Sequence, residues 1–156
     1  MKNKIVVDNS ELFEKFKYSI GSRVKFDEVD SFGVVHNIKY LYWLEWARLE
    51  YFRHIGIKIH KHTVIRDFPV MVVRNEIDYL NMSEYDDEYI VYTRVAKVKN
   101  SSLIFENIIA LKDGTVLVKA VSVLVHLNKD KRPNRLPDNV RDMIKSHEGD
   151  NVEFID

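Results

Sequence analysis

The chain has 156 residues, with 24 Lys plus Arg against 24 Asp plus Glu and therefore a formal net charge of zero. This length is typical of a single domain, and a neutral chain lacks the broad basic field that attracts nucleic acid or an acidic membrane. The absence of cysteine excludes disulfides, zinc–thiolate sites and a cysteine nucleophile. There is no signal-peptide-like start and no uninterrupted apolar run of ~18 residues, so we expect a cytoplasmic protein.

The first predicted elements are a strand, a turn and a long helix. Residues 24–28 are predicted to form a strand that enters a loop of turn-forming residues, Asp-Ser-Phe-Gly at positions 30–33. Residues 38–55 contain no Gly or Pro, which predicts a helix with Asn37 as its N-cap. Its apolar residues exceed a single amphipathic stripe, so we expect the helix to be buried on most sides.

After Gly56 the hydrophobic pattern takes on the period of strands. The predicted strands are residues 71–80, 88–98, 103–111 and 115–127. The second and third of these should form a hairpin, and Asp113-Gly114 predicts another with a type I′ turn, because that turn needs positive φ at both central residues. Residues 138–145 are predicted to form a short helix in the C-terminal tail, 138–156.

These elements allow one packing arrangement. A largely apolar helix among about five long antiparallel strands is buried only if the sheet wraps around it. The predicted fold class is therefore α+β, with a long central helix inside a curved antiparallel sheet of about five strands. No linker or repeat divides the chain, so we expect one domain over residues 1–156, with its core at about 18–140.

Residues 30–41, Asp-Ser-Phe-Gly-Val-Val-His-Asn-Ile-Lys-Tyr-Leu, resemble the active-site signature of the hydroxybenzoyl-CoA thioesterase branch of the hot-dog superfamily. In that signature an Asp is followed by Gly three places on, by Val at the fifth place and by Tyr at the tenth. Gly33, Val35 and Tyr40 match these positions, and the resemblance extends over roughly residues 20–140. It implies the hot-dog fold and the hydrolysis of acyl-CoA thioesters to free acid and CoA, without a metal or redox cofactor.

The resemblance also implies roles for individual residues. Asp30 matches the catalytic Asp, which acts as nucleophile or general base, and Asn37 matches the position whose backbone N–H polarises the thioester carbonyl. Gly33 lets the backbone approach the substrate, while His36 and Tyr40 are further candidates for the pocket. Such chemistry needs a carboxylate beside an oxyanion donor, and a helix N-terminus offers free N–H groups. By turn chemistry alone, an Asp at this place more often caps the backbone.

For CoA, the resemblance implies that scattered basic and hydroxyl side chains near a hairpin loop and the last strand hold the phosphates. The matching residues are Lys97, Lys99, Ser101, Ser102 and Arg132. The run 129–132 is most simply a solvated turn, so Arg132 has two interpretations. The resemblance further implies a homodimer or homotetramer with sites at the subunit interface, and we expect neither nucleic acid nor membrane as a partner.

Several alternatives stay open at this point. Glu45 lies on the helix where another hot-dog branch places its catalytic Glu, but an ion pair with Arg48 at i,i+3 is the simpler interpretation. His54, His60 and His62 lack a recognisable metal-ligand spacing. Two other functions compete with acyl-CoA hydrolysis: hydrolysis of acyl carrier protein thioesters, and non-catalytic binding of CoA esters.

Overall fold

The computed structural model describes residues 10–62 and 67–155, which contain three α-helices and six strands. The helices are α1 (Ser10–Glu14), α2 (Asn37–His54) and α3 (Asp138–Glu148). The strands are β1 (Tyr18–Arg23), β2 (Val70–Tyr79), β3 (Glu88–Val98), β4 (Ser102–Leu111), β5 (Val116–His126) and β6 (Glu153–Phe154). Within these described residues, no helix is long and apolar enough to cross a membrane.

The strands form one sheet in the order β1-β3-β4-β5-β2, all antiparallel, and the short β6 pairs in parallel with β3. The long central helix α2 packs on its inner face, as the sequence predicts, so the α+β fold class is confirmed. The sheet leaves β2 at one edge, paired only with β5 among the described strands.

One broad face of α2 is buried, and it follows the helical repeat. Its buried residues are Tyr40, Trp43, Leu44, Ala47, Arg48, Tyr51 and Phe52. On the other side, Ile38 and Tyr42 are 52% and 59% exposed. The expectation that α2 is buried on most sides is therefore wrong, because the sheet covers a single face and leaves apolar side chains of the first two turns uncovered.

The strand predicted at residues 24–28 is also wrong. The first strand, β1, lies earlier, and residues 26–28 form a single 3₁₀ turn. The turn is closed by the Glu28 carboxylate, whose Oε2 accepts the Lys25 N–H at 2.8 Å, and by the Glu28 N–H, which donates to the Lys25 carbonyl at 3.0 Å. These local hydrogen bonds compete with strand pairing.

The hairpin predicted at Asp113-Gly114 connects β4 to β5, but its turn is not type I′. Among the described residues, Gly114 has φ of +89° and Asp113 is not in the positive-φ region. The Asp113 carboxylate accepts the Thr115 N–H at 2.9 Å, and the Gly114 N–H donates to the Leu111 carbonyl at 2.9 Å. The Leu111 N–H donates to the Thr115 carbonyl at 2.8 Å, so three residues, 112–114, connect this hydrogen-bonded pair, and one of them is a left-handed glycine.

Candidate active site

Residues 28–36, which we call the Asp30 loop, fold back on themselves as a narrow clip. The His36 N–H donates to the Glu28 carbonyl at 2.9 Å, and the Asp30 N–H donates to the Val34 carbonyl at 2.8 Å. At the tip, Gly33 has φ of +77°, and a Cβ there would meet no atom within 4 Å. Glycine is therefore required by backbone conformation rather than by space. One leg of the clip carries Asp30, and the other leads directly into α2.

The Asp30 carboxylate is partly buried and is held by its own loop. Its Oδ1 accepts the Phe32 N–H at 2.8 Å and the Val34 N–H at 3.3 Å. Within the described part of the chain, hydrogen bonds reach Oδ1 alone, which leaves Oδ2 open. Asp30 therefore has the backbone-capping role that turn chemistry predicts, together with a second oxygen able to act on a ligand.

The N-terminus of α2 lies at the end of the other leg. Asn37 is the first helical residue and His36 occupies the N-cap position with extended backbone angles, so the prediction of Asn37 as N-cap is wrong. The side chain of His36 is exposed and makes no capping hydrogen bond. By helix geometry, the N–H groups of Asn37 and Ile38 have no carbonyl four residues earlier within α2, and they carry the positive end of the helix dipole.

The side chain of Tyr40 points into the protein core from the start of α2, and not towards solvent. Its ring is buried, and its hydroxyl shares a 2.9 Å hydrogen bond with Ser83 Oγ, which is also buried. Burial raises the pKa of Tyr40, and the hydrogen bond to Ser83 partly opposes that rise. The Tyr79 hydroxyl donates to the Asn37 carbonyl at 3.2 Å. Together these contacts fix the first turn of α2 to the end of β2 and to the segment that follows it.

The sequence patterns missed a second acidic residue, Glu28, at the base of the Asp30 loop. It is 8% exposed, and its Oε1 accepts the indole N–H of Trp43 at 2.9 Å. Trp43 stacks on Tyr89 with ring centroids 3.8 Å apart, and burial raises the pKa of Tyr89 to about 12. The signal available in the sequence was an acidic residue two places before Asp30.

The residues expected to hold CoA lie at the other end of the sheet from the Asp30 loop. Lys97 is near the end of β3 and pairs with Glu153 at 3.1 Å. The Lys99 N–H donates to the Ser102 carbonyl in the β3–β4 turn, and the Ser101 carbonyl accepts the His126 N–H. The backbone N–H of Arg132 donates to Asn128 Oδ1 in a later turn.

The length of β3 sets the distance between the Asp30 loop and the residues expected to hold CoA. At ~3.3 Å per residue, its 11 residues span roughly 35 Å. Within one chain, the structure places Asp30, Gly33 and His36 on the Asp30 loop and Asn37 directly after it. It does not bring Lys97, Lys99, Ser101, Ser102 or Arg132 to them.

The ion pair predicted between Glu45 and Arg48 does not form in the described structure. Arg48 faces the sheet, and its Nη1 donates to Ser122 Oγ at 3.2 Å. Burial lowers the pKa of Arg48, and the charge of Glu45 opposes this shift from a distance. As for the histidines, no group of three His, Cys, Asp or Glu side chains is arranged to hold a metal in residues 10–62 and 67–155.

Comparison with known proteins gives consistent matches over most of the chain. Residues 24–144 match the family model described as "Thioesterase-like superfamily". The acyl-CoA thioesterase YbgC of Haemophilus influenzae is 31% identical over 111 residues, 68% of this chain and 82% of that protein. The chloroplastic acyl-acyl carrier protein thioesterase ATL3 of Arabidopsis thaliana is 25% identical over 126 residues, covering 80% of this chain and 65% of that protein. A Thermus thermophilus thioesterase solved with coenzyme A and Zn is 32% identical, with a TM-score of 0.77 over 87% of this chain and 97% of that one. This chain therefore belongs to the thioesterase-like superfamily, whose hot-dog fold it shares.

Proposed function

We propose that this chain hydrolyses acyl-CoA thioesters to the free acid and CoA, with Asp30 as the catalytic carboxylate. The observation that carries the proposal is the Asp30 loop. It holds one carboxylate oxygen with two backbone N–H groups and leaves the other open, on a loop that leads directly into α2. The similarity to acyl-CoA thioesterase YbgC over 68% of the chain supports the same activity.

In the proposed reaction, the Asn37 N–H donates to the thioester carbonyl oxygen, where negative charge develops. A single such donor contributes about 2.7–4 kcal/mol to the transition state. Asp30 Oδ2 then acts in one of two ways. It accepts a proton from a water that attacks the carbonyl carbon, or it attacks that carbon itself. In both cases the C–S bond breaks and CoA leaves as the thiolate. In the second case water then hydrolyses the acyl–Asp30 anhydride.

His36, Gly33 and Tyr40 have supporting roles in this proposal. The imidazole of His36 is exposed at the start of α2, and we propose that it lines the mouth of the thioester pocket. Gly33 allows the left-handed tip of the Asp30 loop. The buried hydroxyl of Tyr40 is engaged with Ser83, so Tyr40 supports the helix start from behind and is not proposed to contact the thioester.

The active form is proposed to be a homodimer joined through β2. Met71, Val73 and Tyr79 on this edge strand are 52%, 57% and 46% exposed. A long edge strand that exposes apolar side chains is a template for pairing with another chain. Two copies of β2 paired antiparallel would extend the sheet across a two-fold axis.

This arrangement also explains why the proposed CoA ligands are remote from Asp30 in one chain. β2 ends at Tyr79, which contacts Asn37, and begins at Val70, which pairs with His126 next to the β3–β4 turn. Antiparallel pairing of two β2 strands reverses these ends. The turn carrying Lys99 in one protomer would therefore approach the Asp30 loop of its partner, and Lys97, Ser101, Ser102 and Arg132 would come with it.

The two alternative functions make different demands on the same surface. An acyl carrier protein is acidic and needs a basic patch at the site entrance. Here the exposed carboxylates of Asp27 and Glu84 lie at the Asp30 loop. They would repel an acidic carrier protein, but CoA phosphates carry charge of the same sign, so only the parallel assay separates the two carriers. A protein that only binds CoA esters needs no open carboxylate oxygen at the thioester, whereas Asp30 Oδ2 is open.

Thiol release from a panel of acyl-CoA thioesters of increasing chain length tests the proposal, with acyl carrier protein thioesters measured in parallel. Wild type should release thiol from at least one acyl-CoA. Asp30→Asn should abolish release, and the matched variant Asp27→Asn, an exposed Asp three residues earlier, should leave it intact. A wild type inactive on every CoA ester would refute the activity, and a fully active Asp30→Asn would refute the role of Asp30.

The dimer is tested separately by Val73→Lys, which places a charge on the edge of β2. Light scattering should show a monomer, and thiol release should fall because the partner's basic turn is lost from the site. A Val73→Lys protein that stays dimeric and fully active contradicts pairing through β2.

A further inference from the structure

Glu28 makes three contacts that link the Asp30 loop to α2. Its Oε2 accepts the Lys25 N–H at 2.8 Å, and its Oε1 accepts the Trp43 indole N–H at 2.9 Å. Its backbone carbonyl accepts the N–H of His36, the residue just before the helix, at 2.9 Å. A single residue, two places before Asp30, therefore contacts the 3₁₀ turn that precedes the loop, the end of the loop and the second turn of α2.

The partner of this carboxylate is itself fixed in orientation. Trp43 is 4% exposed and stacks on Tyr89 with an angle of 12° between the rings, while Tyr40 packs edge-on at 5.0 Å. The indole N–H consequently points in one direction, and its bond to a carboxylate is charge-assisted. A bond of this kind resists both sliding and rotation of α2 relative to the Asp30 loop.

The geometry required for hydrolysis depends on this relative position. Asp30 lies on one leg of the loop, and the free N–H of Asn37 lies at the end of the other. The Glu28 carbonyl closes the base of the loop, and the Glu28 carboxylate ties that base to Trp43. We propose that Glu28 is a positioning residue, which sets the placement of the Asp30 carboxylate against the oxyanion donor at the start of α2. This inference rests on the proposed thioesterase function.

The chemistry of the two contacts explains why a carboxylate is needed. Both groups that reach Glu28, the Lys25 amide and the Trp43 indole, are N–H donors. A carboxylate accepts at both oxygens, whereas a glutamine of the same shape accepts at one end and presents an NH₂ group at the other. Glu28→Gln therefore sets one N–H against another and displaces either the 3₁₀ turn or the helix.

Steady-state kinetics of thiol release on the full chain test this role. Glu28→Gln and Trp43→Phe, which keeps a ring on Tyr89 but lacks the N–H, should each lower kcat by roughly ten- to a hundred-fold, because small misplacements of reacting groups have effects of this size. KM should change little, because ground-state binding is retained. The double variant should lose no more than the worse single variant, since both break the same contact. The control is Glu14→Gln, the same chemical change at an exposed site, which should match wild type.

A second readout tests the contact without relying on activity. The chain has two tryptophans, so Trp46→Phe isolates the emission of Trp43, and Glu28→Gln in that background should shift it. The proposal is overturned if Glu28→Gln or Trp43→Phe is folded and fully active. It is also overturned if the losses in kcat of the two single variants multiply in the double variant. A kcat that is normal per folded molecule assigns Glu28 to stability alone and also overturns it. If wild type is inactive on every thioester, the proposed function fails, and the positioning role of Glu28 fails with it. If Glu28→Gln leaves the Trp43 emission unshifted, the contact between Glu28 and Trp43 is itself overturned.

Discussion

The two oxygens of Asp30 have different environments, which predicts that activity and stability can be separated at this one residue. Asp30→Asn keeps an Oδ1 that accepts the N–H groups of Phe32 and Val34, but replaces the open oxygen with an amide that is neither base nor nucleophile. Asp30→Ala removes both functions. We expect the two variants to be equally inactive and unequally stable.

The magnitudes follow from the contacts. Loss of a positioned carboxylate that acts in proton transfer costs roughly 10²–10⁴-fold in rate, or about 3–5 kcal/mol of transition-state stabilisation. The two hydrogen bonds to Oδ1, at 2.8 and 3.3 Å, resemble those of a capping side chain, whose removal costs about 1–2 kcal/mol. For a chain of this length, that lowers Tm by roughly 2–8 °C.

The assay pairs thiol release with thermal unfolding followed by circular dichroism. Asp30→Asn should melt close to wild type, and Asp30→Ala should melt several degrees lower. Equal melting temperatures for the two variants would show that Oδ1 does not hold the loop. An active Asp30→Asn, or an Asp30→Ala that is much less active than Asp30→Asn, would show that the open oxygen is not the reacting group.

Three further predictions concern backbone strain, a buried hydrogen bond and acid pH. Gly33→Ala should lower the free energy of unfolding by about 1–2 kcal/mol in urea titrations. The whole cost comes from the positive φ of +77°, because an added Cβ would meet no atom within 4 Å. Tyr51→Phe should lower it by about 2–3 kcal/mol, because the Tyr51 hydroxyl donates to buried Glu148 Oε1 at 2.6 Å, and Glu148 Oε2 has no partner in the described structure. Burial lowers the pKa of His147 in the folded state, with His54 and Lys17 adding to the shift and Glu148 opposing it. His147 therefore contributes fully to the stability of the fold above its unfolded pKa of about 6.5, and this contribution is lost as the pH falls through the lower folded pKa. His147→Gln should accordingly make the decrease of Tm between pH 7.5 and 5 less steep.

Each of these predictions has a contrary outcome, and the pH prediction also has a matched control. A Gly33→Ala protein as stable as wild type would mean that the tip relaxes without strain. For the hydroxyl of Tyr51, an unchanged urea midpoint would mean that Glu148 finds another donor. His62→Gln alters an exposed histidine and should leave the pH dependence of Tm as it is, and equal slopes for wild type and His147→Gln would contradict the assignment to His147.

The long central strands could be predicted because their side chains face a core on one side. The predicted strand 88–98 coincides with β3, and the third and fourth predicted strands match β4 and β5 within two residues. β1 was missed because Tyr18–Arg23 is a half-exposed edge strand with a glycine and no apolar alternation. The buried Val24 drew the prediction to the wrong side of it.

Contacts between residues distant in sequence were beyond pattern-based prediction. The i,i+3 rule favoured Glu45 as the partner of Arg48, but the buried face of α2 turns Arg48 towards Ser122, 74 residues away. Trp43 looks like a core residue in the sequence, and only the fold shows its indole N–H on Glu28. The placement of Asp30, Gly33 and Asn37 on one loop and at the following helix start was predictable because it is local in sequence.

Turn chemistry and catalysis first stand as rival interpretations of Asp30, since a carboxylate that caps a turn is usually only a structural feature. In the proposed mechanism the two roles belong to different oxygens of the same carboxylate. Two N–H groups on Oδ1 prevent the carboxyl group from rotating, and this fixes the direction of Oδ2 before any substrate arrives. Preorganised polar groups of this kind need no rearrangement at the transition state. The capping bonds therefore support the proposed catalytic role, because they orient the oxygen that has to react.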